Sequence, residues 1–319
     1  MNNPFTHVTT SIVAGLIATA LFAGAGIPAR ESNVEASQQV TKYVRYSHEG
    51  NTSYGVLEDT TVYELDGDIF ASPSRSGRSM PLADLTLLAP VEPSKVIAVG
   101  FNYRSHIGSS PVPEDPGLFA KFPTSIIGPD AEIVIPSDAG DVHYEGELVV
   151  VIGSTAKNVS IEDASDHIFG VTAGNDVSER AWQGADLQWV RAKGSDTFGP
   201  IGPAIVTGLD YNDLLVETRL NGETLQSESS EDLLFGVDHI VSYISRYVTL
   251  YPGDVIFTGT PGSTRAMKPG DVVEIEVQGV GVLRNTVAAA HQRERTIRSA
   301  MIRKPSVPRR NWVRLHSIG

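Results

Sequence analysis

The chain has 319 residues, of which 41% are hydrophobic and 20% charged, so it can bury the core of one large domain, with or without a small second one. Its formal net charge of -13 repels phosphate backbones and anionic lipid head groups, and we therefore expect no nucleic acid and no stable membrane partner. The absence of cysteine excludes disulfides, thiolate nucleophiles and cysteine-ligated metal sites.

Residues 1–32 are predicted to be a signal peptide or an anchor. The apolar run over residues 12–22 and the small residues that follow it are typical of a signal-peptide core and its cleavage site. The run is short for a membrane span, which takes roughly 20 apolar residues. Because no Lys or Arg precedes it, an uncleaved anchor and a start codon assigned too early stay open as alternatives. A signal peptide would make the protein periplasmic or secreted, and otherwise it is cytoplasmic.

Residues 33–93 are predicted to form a small β-rich N-terminal subdomain. Short strand-like stretches over residues 43–46, 53–57 and 61–65 are separated by Gly and Asp turns. Two prolines at residues 90 and 93 mark a linker, after which residues 95–100 read as a buried strand.

Residues 94–290 are predicted to form the catalytic domain, in which short apolar runs alternate with Gly-Pro turns. Helices are expected over residues 161–164, 180–188 and 233–248, the last with an apolar stripe. These patterns predict an α+β fold that is predominantly β. Residues 291–319 form a basic tail, which we interpret as a solvated extension, with binding of nucleic acid or an anionic surface as the alternative.

Two glutamates stand at the head of an apolar stretch over residues 142–153. Side chains alternate along a strand, so Glu145 and Glu147 are expected on the same face. Two adjacent carboxylates at a buried position need a proton, a basic partner or a hard cation. Oxygen-only ligation suits Mg²⁺, Mn²⁺ or Ca²⁺ better than zinc. The alternative is a pair of glutamates on an exposed edge strand.

Two further segments carry candidate charged residues. Asp176 lies where a strand ends and a helix begins, and it is either a third metal ligand or a helix N-cap. Lys193 lies in a Gly- and Pro-rich stretch, where it would neutralise a carboxylate, or carry a proton if its pKa were lowered. The alternative for Lys193 is a surface lysine in a turn.

Two loops that follow strands complete the candidate site. His106 follows the strand over residues 95–100, and histidine suits general base catalysis near neutral pH, although a structural role is the alternative. Residues 254–262 run from a strand into a Gly-Pro turn whose hydroxyls and amides are suited to holding a carboxylate, unless it is simply a tight turn.

Taken in order, these segments resemble the fumarylacetoacetate hydrolase family over about residues 95–287. The motifs are Asn-Tyr-x-x-His at 102–106, Glu-x-Glu-Leu at 145–148, Asn-Asp-Val-x-x-Arg at 175–180, Lys-x-x-Asp-Thr-Phe-x-Pro-x-Gly-Pro at 193–203 and Thr-Gly-Thr-Pro at 258–261. The resemblance implies a β-roll catalytic domain with a smaller N-terminal subdomain, usually in a homodimer.

The resemblance also implies roles for individual residues. The family's metal ligands fall on Glu145, Glu147 and Asp176, with Mg²⁺ or Mn²⁺ as the expected ion and Ca²⁺ as a further possibility. Its catalytic positions fall on His106 and Lys193. The positions that contact a small 2-oxo acid substrate fall on Lys121, Arg180, Gln183 and Thr260.

This chain departs from the family pattern at two places. Hydrolytic members carry, three residues after the histidine, a glutamate that helps it to activate water, and here that position is Ser109. Glu114 and Asp115 in the same loop are candidate substitutes. The turn after Thr260 is shorter than usual and introduces Arg265.

The resemblance implies a metal-dependent hydrolase that cleaves a C–C bond in an acylpyruvate or another 1,3-diketo acid. The metal would hold the carboxylate and keto oxygens and stabilise an enolate. Ser109 favours the alternative of an oxaloacetate decarboxylase, a tautomerase or a lyase, none of which needs activated water. A third hypothesis is an exported protein that binds a small acid without turnover.

Overall fold

A computed structural model describes residues 39–290 of the chain. The predicted signal peptide or anchor and the basic tail therefore lie outside the described residues. Between residues 39 and 290, no helix combines the length and the apolar character needed to cross a membrane.

The N-terminal region is built from short antiparallel strands, and the first three lie at the positions that the sequence predicts. These strands are β1 (Thr41–His48), β2 (Asn51–Glu58), β3 (Thr61–Asp66), β4 (Ser74–Pro81) and β5 (Thr86–Leu87). The turn between β1 and β2 places Glu49 and Gly50 at positive φ, as a tight hairpin turn requires. Strand β1 also pairs with β14 (Gly199–Thr207) of the following region, so the N-terminal strands are continuous with the large sheet.

The remaining strands are β6 (Val96–Gly100), β7 (Gly117–Lys121), β8 (Ile126–Ile127), β9 (Glu132–Ile135), β10 (Val142–His143), β11 (Gly146–Ile152), β12 (Ile168–Asn175), β13 (Ser178–Glu179), β14 (Gly199–Thr207), β15 (Leu215–Leu220), β16 (Glu223–Ser229), β17 (Val255–Phe257), β18 (Val272–Val277) and β19 (Gly281–Ala289). The large sheet has the strand order β4-β3-β2-β1-β14-β12-β11-β17-β6-β7, with β5 beside β1 and β8 beside β14. A second sheet has the order β16-β15-β18-β19-β9, and β10 pairs with β13. The prediction of a predominantly β fold is confirmed.

Short helices cover the sheets. They are α1 (Arg104–Ile107), α2 (Arg180–Ala185), α3 (Val190–Gly194) and α4 (Val237–Tyr247), with 3-10 helices at Leu82–Asp84, Pro123–Ser125, Ala164–His167 and Ser230–Asp232.

Three predicted helix boundaries differ from the structure. Helix α4 buries the predicted apolar stripe but begins at Val237, because Leu233 forms a β-bridge with Tyr103. Helix α2 ends at Ala185, because Asp186 adopts an extended conformation and binds Arg191. Residues 161–163 form a turn, and a 3-10 helix lies over Ala164–His167 instead of the predicted helix over residues 161–164.

Strand β11 runs through the middle of the large sheet, between β12 and β17. Its even-numbered residues, such as Leu148 and Val150, pack into the larger hydrophobic cluster. Its odd-numbered residues Val149 and Val151 pack on the opposite face with Phe257. Because both faces are buried, the strand has the continuous apolar run seen in the sequence, and Glu147 lies on the odd-numbered face.

Candidate active site

Strand register brings the three acidic residues together. Strands β11 and β12 are antiparallel with Gly146 opposite Asn175, so Glu145, just before β11, lies opposite Asp176, just after β12. Glu147 is two residues further along the same face. One carboxylate oxygen from each of the three lies within 4.8 Å of the others, and all three residues are buried. The glutamates are therefore not an exposed edge-strand pair.

Three basic side chains surround these carboxylates. Lys193, at the end of α3, donates to Glu145 at 2.7 Å and to Asp176 at 2.6 Å. Lys121, the last residue of β7, donates to Asp176 at 2.5 Å and to the backbone carbonyl of Lys193. Arg180 pairs with Glu145 at 2.5 Å. Three cations thus face three carboxylates in a region from which water is largely excluded.

The acidic residues respond differently to this environment. Burial opposes ionisation of Glu145, but Lys193 and Arg180 outweigh it and hold the pKa of Glu145 below its usual range. Burial raises the pKa of Glu147 well above its usual value, and the charges of Asp176 and Glu145 raise it further. Glu147 accepts a hydrogen bond at 2.7 Å from the backbone N–H of Gly259. Since no lysine or arginine among the described residues pairs with it, Glu147 is the least compensated carboxylate of the cluster.

The two lysines also differ. Burial alone would lower the pKa of Lys193, but Asp176 and Glu145 outweigh it and raise the pKa. Burial lowers the pKa of Lys121, and Asp176 offsets this only in part. A lysine whose pKa is raised keeps its proton, so the structure favours charge neutralisation over proton transfer for Lys193.

The donor set fits a hard divalent cation. Three buried carboxylates offer oxygen ligands, which Mg²⁺ and Mn²⁺ prefer. The mutual repulsion that raises the pKa of Glu147 is the repulsion that such an ion would relieve. Glu145, Glu147 and Asp176 are the residues that would hold it.

A side-chain amide fixes the loop that carries His106. Asn102 donates to the backbone carbonyls of Thr258 and Phe235 and accepts from the backbone N–H of Phe235, at 2.7 to 3.0 Å. This places α1 against the end of β17. The Asn of the Asn-Tyr-x-x-His motif is therefore structural.

His106 has a fixed hydrogen-bond pattern. Its Nδ1 lies 2.8 Å from the backbone carbonyl of Gly262. A carbonyl oxygen only accepts, so Nδ1 carries a hydrogen, and in the neutral imidazole the lone pair is then on Nε2. Among residues 39–290 no carboxylate bonds to His106. Glu114 and Asp115, the candidate substitutes for the missing glutamate, are exposed.

The turn after β17 provides both a backbone donor and Thr260. Gly259 adopts a φ of +112°, and a Cβ there would lie 2.7 Å from the Cβ of Asn102, so only glycine fits. The hydroxyl of Thr260 donates to the carbonyl of Gly146 and accepts from Gln226, both at 2.9 Å. In this arrangement the hydroxyl hydrogen of Thr260 is directed at the protein rather than at a ligand.

The predicted substrate residues lie at different depths. A cavity of about 20 Å³ lies among the carboxylates, and it is lined by His106, Gln183, Lys193 and Thr260 together with the three acidic residues. Gln183 accepts from Arg180 at 2.8 Å, which links α2 to the carboxylates. Lys121 does not line this cavity, because its fully buried side chain lies behind Asp176.

Sequence reasoning missed an aromatic wall at this site. Phe101, Phe119 and Trp189 line both the small cavity and an adjacent apolar one of about 510 Å³. The ring of Trp189 contacts the rings of Phe119 and Phe101 edge to face, with centroids 5.2 and 6.0 Å apart. Two of these aromatics lie outside strands and helices, where no periodic pattern marks them.

Comparison with known proteins shows which family has this fold and site. Residues 95–288 match the family described as fumarylacetoacetate (FAA) hydrolase, C-terminal, and residues 41–90 match the one described as Rv2993c-like, N-terminal. The chain belongs to the fumarylacetoacetate hydrolase family. The family resemblance and the predicted fold are both confirmed.

Three relatives illustrate the range of activities in the family. Human oxaloacetate tautomerase FAHD2A, mitochondrial, is 41% identical over 223 residues, which cover 65% of this chain and 71% of the relative. The crystal structure of 2-hydroxyhepta-2,4-diene-1,7-dioate isomerase from Mycobacterium marinum is 41% identical, has a TM-score of 0.75, and covers 79% of this chain and 100% of its own. Maleylpyruvate hydrolase from Sphingobium sp. SYK-6, in complex with manganese (II) ion and pyruvate, is 27% identical, has a TM-score of 0.66, and covers 78% and 99%.

These relatives are named as a tautomerase, an isomerase and a hydrolase, so membership of the family indicates an enzyme without fixing the reaction. One of them has manganese bound, and this chain has a buried set of three carboxylates.

Proposed function

We propose that this protein is a divalent-metal-dependent tautomerase that interconverts the keto and enol forms of a small 2-oxo dicarboxylic acid of the oxaloacetate type. The observation that carries the proposal is the hydrogen bond from His106 to the Gly262 carbonyl, where a hydrolase would use a carboxylate. Relatives named oxaloacetate tautomerase, at 40 to 41% identity, support it.

His106 is suited to moving a proton in both directions. A neutral imidazole with its hydrogen on Nδ1 accepts a proton at Nε2. In the proposed reaction Nε2 takes the proton from the carbon next to the keto group and then gives it to the keto oxygen. His106 is therefore neutral again at the end of the reaction, and the protein has neither gained nor lost a proton. Without a carboxylate to stabilise the imidazolium, return of the proton is fast, which suits tautomerisation better than sustained activation of water.

The charged cluster supplies the environment for this proton transfer. When bound, Mg²⁺ or Mn²⁺ supplies a Lewis acid that holds the acid's oxygens and stabilises developing negative charge. Lys193 keeps its positive charge beside Glu145 and Asp176 and so balances the cluster. Phe119 and Trp189 give the cavity an apolar wall beside the carboxylates.

Hydrolysis of a C–C bond in an acylpyruvate is the second candidate. The complete carboxylate set and Lys193 favour it, as does the similarity to maleylpyruvate hydrolase. It differs from tautomerisation in requiring attack by an activated water molecule, and Ser109 leaves His106 without the glutamate that assists this step in hydrolytic members. Decarboxylation of oxaloacetate proceeds through the same enolate.

The test compares reactions in the purified full-length protein with Mg²⁺ or Mn²⁺ and with excess EDTA. We expect metal-dependent loss of the enol absorbance of oxaloacetate, faster than its decarboxylation, and little cleavage of acylpyruvates. Metal-dependent cleavage of an acylpyruvate at a higher kcat/KM would replace our proposal with the hydrolase. Recovery of every acid unchanged would leave a binding protein.

A substitution at Ser109 sharpens this test. Ser109→Glu restores the glutamate position, and we expect it to raise acylpyruvate cleavage by about tenfold or more because a carboxylate helps histidine to activate water. The neighbouring exposed Ser110→Glu is the matched control for added charge. Equal effects of the two variants would show that Ser109 does not decide the reaction.

A further inference from the structure

A chain of hydrogen bonds leads from the protein surface to Arg180. Asp141 lies 2.9 Å from Nε2 of His143, and Nδ1 of His143 lies 2.8 Å from the hydroxyl of Thr264. The same hydroxyl lies 2.8 Å from Nη2 of Arg180. The side chain of Asp141 is 52% exposed and that of His143 is 15% exposed, so the chain runs inward from solvent.

When His143 is neutral, the chemistry of each group sets the direction of every hydrogen bond from Asp141 to Arg180. An ionised carboxylate only accepts, so Nε2 of His143 donates to Asp141. A neutral imidazole has one N–H, so Nδ1 accepts and the Thr264 hydroxyl donates to it. The oxygen of Thr264 then accepts from Arg180, which only donates. The hydrogen bond from Thr264 to His143 therefore orients the Thr264 hydroxyl so that a lone pair of its oxygen accepts from the Arg180 guanidinium.

Arg180 is the accessible cation of the cluster. The side chains of Lys121 and Lys193 are 0% and 3% exposed, whereas that of Arg180 is 21% exposed. Among residues 39–290 its guanidinium has three partners: Glu145, Gln183 and Thr264. Arg180 is therefore the most solvent-accessible of these three cations, and its partner Gln183 lines the small cavity, as Lys193 does and Arg180 itself does not.

The turn over residues 260–266 connects this series of hydrogen bonds to His106, the proposed base. Gly262 in this turn accepts from His106, and Thr264, two residues later, accepts from Arg180. A β-bridge between His143 and Ala266 holds the end of the turn. One short turn therefore fixes the positions of both His106 and Arg180.

We propose that Asp141, His143 and Thr264 form a hydrogen-bonded chain that positions Arg180 to bind the anionic group of the substrate. The inference rests on the proposed function and deepens it. Arg180 exchanges Glu145 for the substrate anion while Thr264 and Gln183 keep the guanidinium in place. Thr264 and His143 are positioning residues, since they act through Arg180.

The test measures binding apart from turnover. Oxalate, a dianion with no proton to transfer, is titrated calorimetrically into the Mg²⁺-loaded full-length protein, and KM and kcat for oxaloacetate are measured separately. Thr264→Val removes the hydroxyl at nearly constant volume, and Thr264→Ser restores it. Ser263→Ala, at the exposed neighbouring position, is the control.

We expect Thr264→Val to weaken oxalate binding and to raise KM by about tenfold, as loss of one hydrogen bond to a charged group implies, with a smaller change in kcat. Thr264→Ser should stay within about twofold of the wild type. The affinity for Mg²⁺ alone, measured in the same calorimeter, should not follow this order.

A pair of substitutions at His143 tests the direction of the chain. An Asn side chain places its polar atoms near the position of Nδ1 and so retains the contact with Thr264, whereas Gln reaches the position of Nε2 and retains the contact with Asp141. We expect His143→Gln to weaken oxalate binding more than His143→Asn does. The opposite order would show that Thr264 is not held through Nδ1.

Several outcomes would overturn the inference. Equal oxalate affinities for Thr264→Val and Ser263→Ala would show that the chain does not position Arg180, and so would a parallel loss of kcat and thermal stability that Thr264→Ser does not rescue. Wild-type protein that binds oxalate through Thr264 but does not tautomerise oxaloacetate would contradict the proposed function while supporting this inference. Absence of anion binding in the wild type would overturn both.

Discussion

The site has two regions that are built differently, a buried centre and a partly exposed rim. The centre consists of Glu145, Glu147 and Asp176 with the two lysines, and strand register and direct ion pairs set its geometry. The rim consists of α1, α2 and the turn over residues 260–266, where backbone carbonyls and hydroxyls orient His106 and Arg180. In the proposed function the centre would hold the metal ion, whereas the rim would supply the proton carrier His106 and the anion-binding Arg180.

Loss of a shared carboxylate in the centre should have the largest effect. Asp176→Asn removes the carboxylate that pairs with Lys121 and one of the two that pair with Lys193, so we expect the free energy of unfolding to fall by about 3 to 5 kcal/mol. Metal-dependent activity should be lost as well. Urea unfolding and turnover measure the two effects. Asp186→Asn, in an exposed ion pair, is the control, and similar midpoints for the two variants would contradict this account.

Removal of the base in the rim should affect activity without affecting stability. His106→Ala is expected to lower kcat for oxaloacetate by about 10² to 10⁴, as loss of a general acid-base group implies. Oxalate binding and Tm should change little, since His106 contributes one hydrogen bond outside the buried cluster. His48→Ala, in strand β1, controls for a general effect of losing a histidine. A retained kcat would exclude His106 as the proton carrier.

Substitution of Glu147 should change metal affinity and the stability of the metal-free protein in opposite directions. Its folded-state pKa lies above the unfolded value, so its contribution to the stability of the metal-free protein is full below about pH 4.5 and is lost as the pH rises. Glu147→Gln stays neutral, so with EDTA at pH 8 we expect a higher free energy of unfolding than in the wild type, and no difference near pH 4. Calorimetry should show Mg²⁺ affinity reduced by about 100-fold or more.

The exposed Glu49→Gln is the control for this pH series. If Glu147→Gln lowered the stability of the metal-free protein at pH 8, Glu147 would be ionised and compensated there, and the centre would need a different electrostatic description.

The smallest effect is expected at the residue that the unusual turn introduces. Arg265 pairs with Glu223 at 2.6 Å, but both side chains are at least 50% exposed, and such surface pairs contribute little. Arg265→Ala should leave Tm unchanged within about 1 °C and KM for oxaloacetate within about twofold. A larger increase in KM would place Arg265, and not Arg180 alone, in contact with the substrate anion.

Much of the fold and part of the centre could be predicted from the sequence. Short strand-like stretches between turns predicted strands β1 to β3, and a continuous apolar run predicted the buried strand β11. The alternation of side chains along a strand placed Glu145 and Glu147 on one face. The ends of α2 and α4 could not be predicted in this way, because they depend on a bridge to Tyr103 and on a side-chain contact of Asp186. Such contacts join residues that are far apart or irregularly spaced in the chain.

The sequence by itself determined the identity of the family, through five motifs in order, and the chemistry available to it: three carboxylates, two lysines, an arginine and a histidine. Only the tertiary structure decided how these groups are used. The pairing of β11 with β12 placed Asp176 opposite Glu145, and the turn over residues 260–266 set the tautomer of His106 and tied Arg180 to Thr264 and His143. The physical reason is that a strand pattern specifies which face a side chain takes, whereas a hydrogen bond between loops exists only once both loops have been packed.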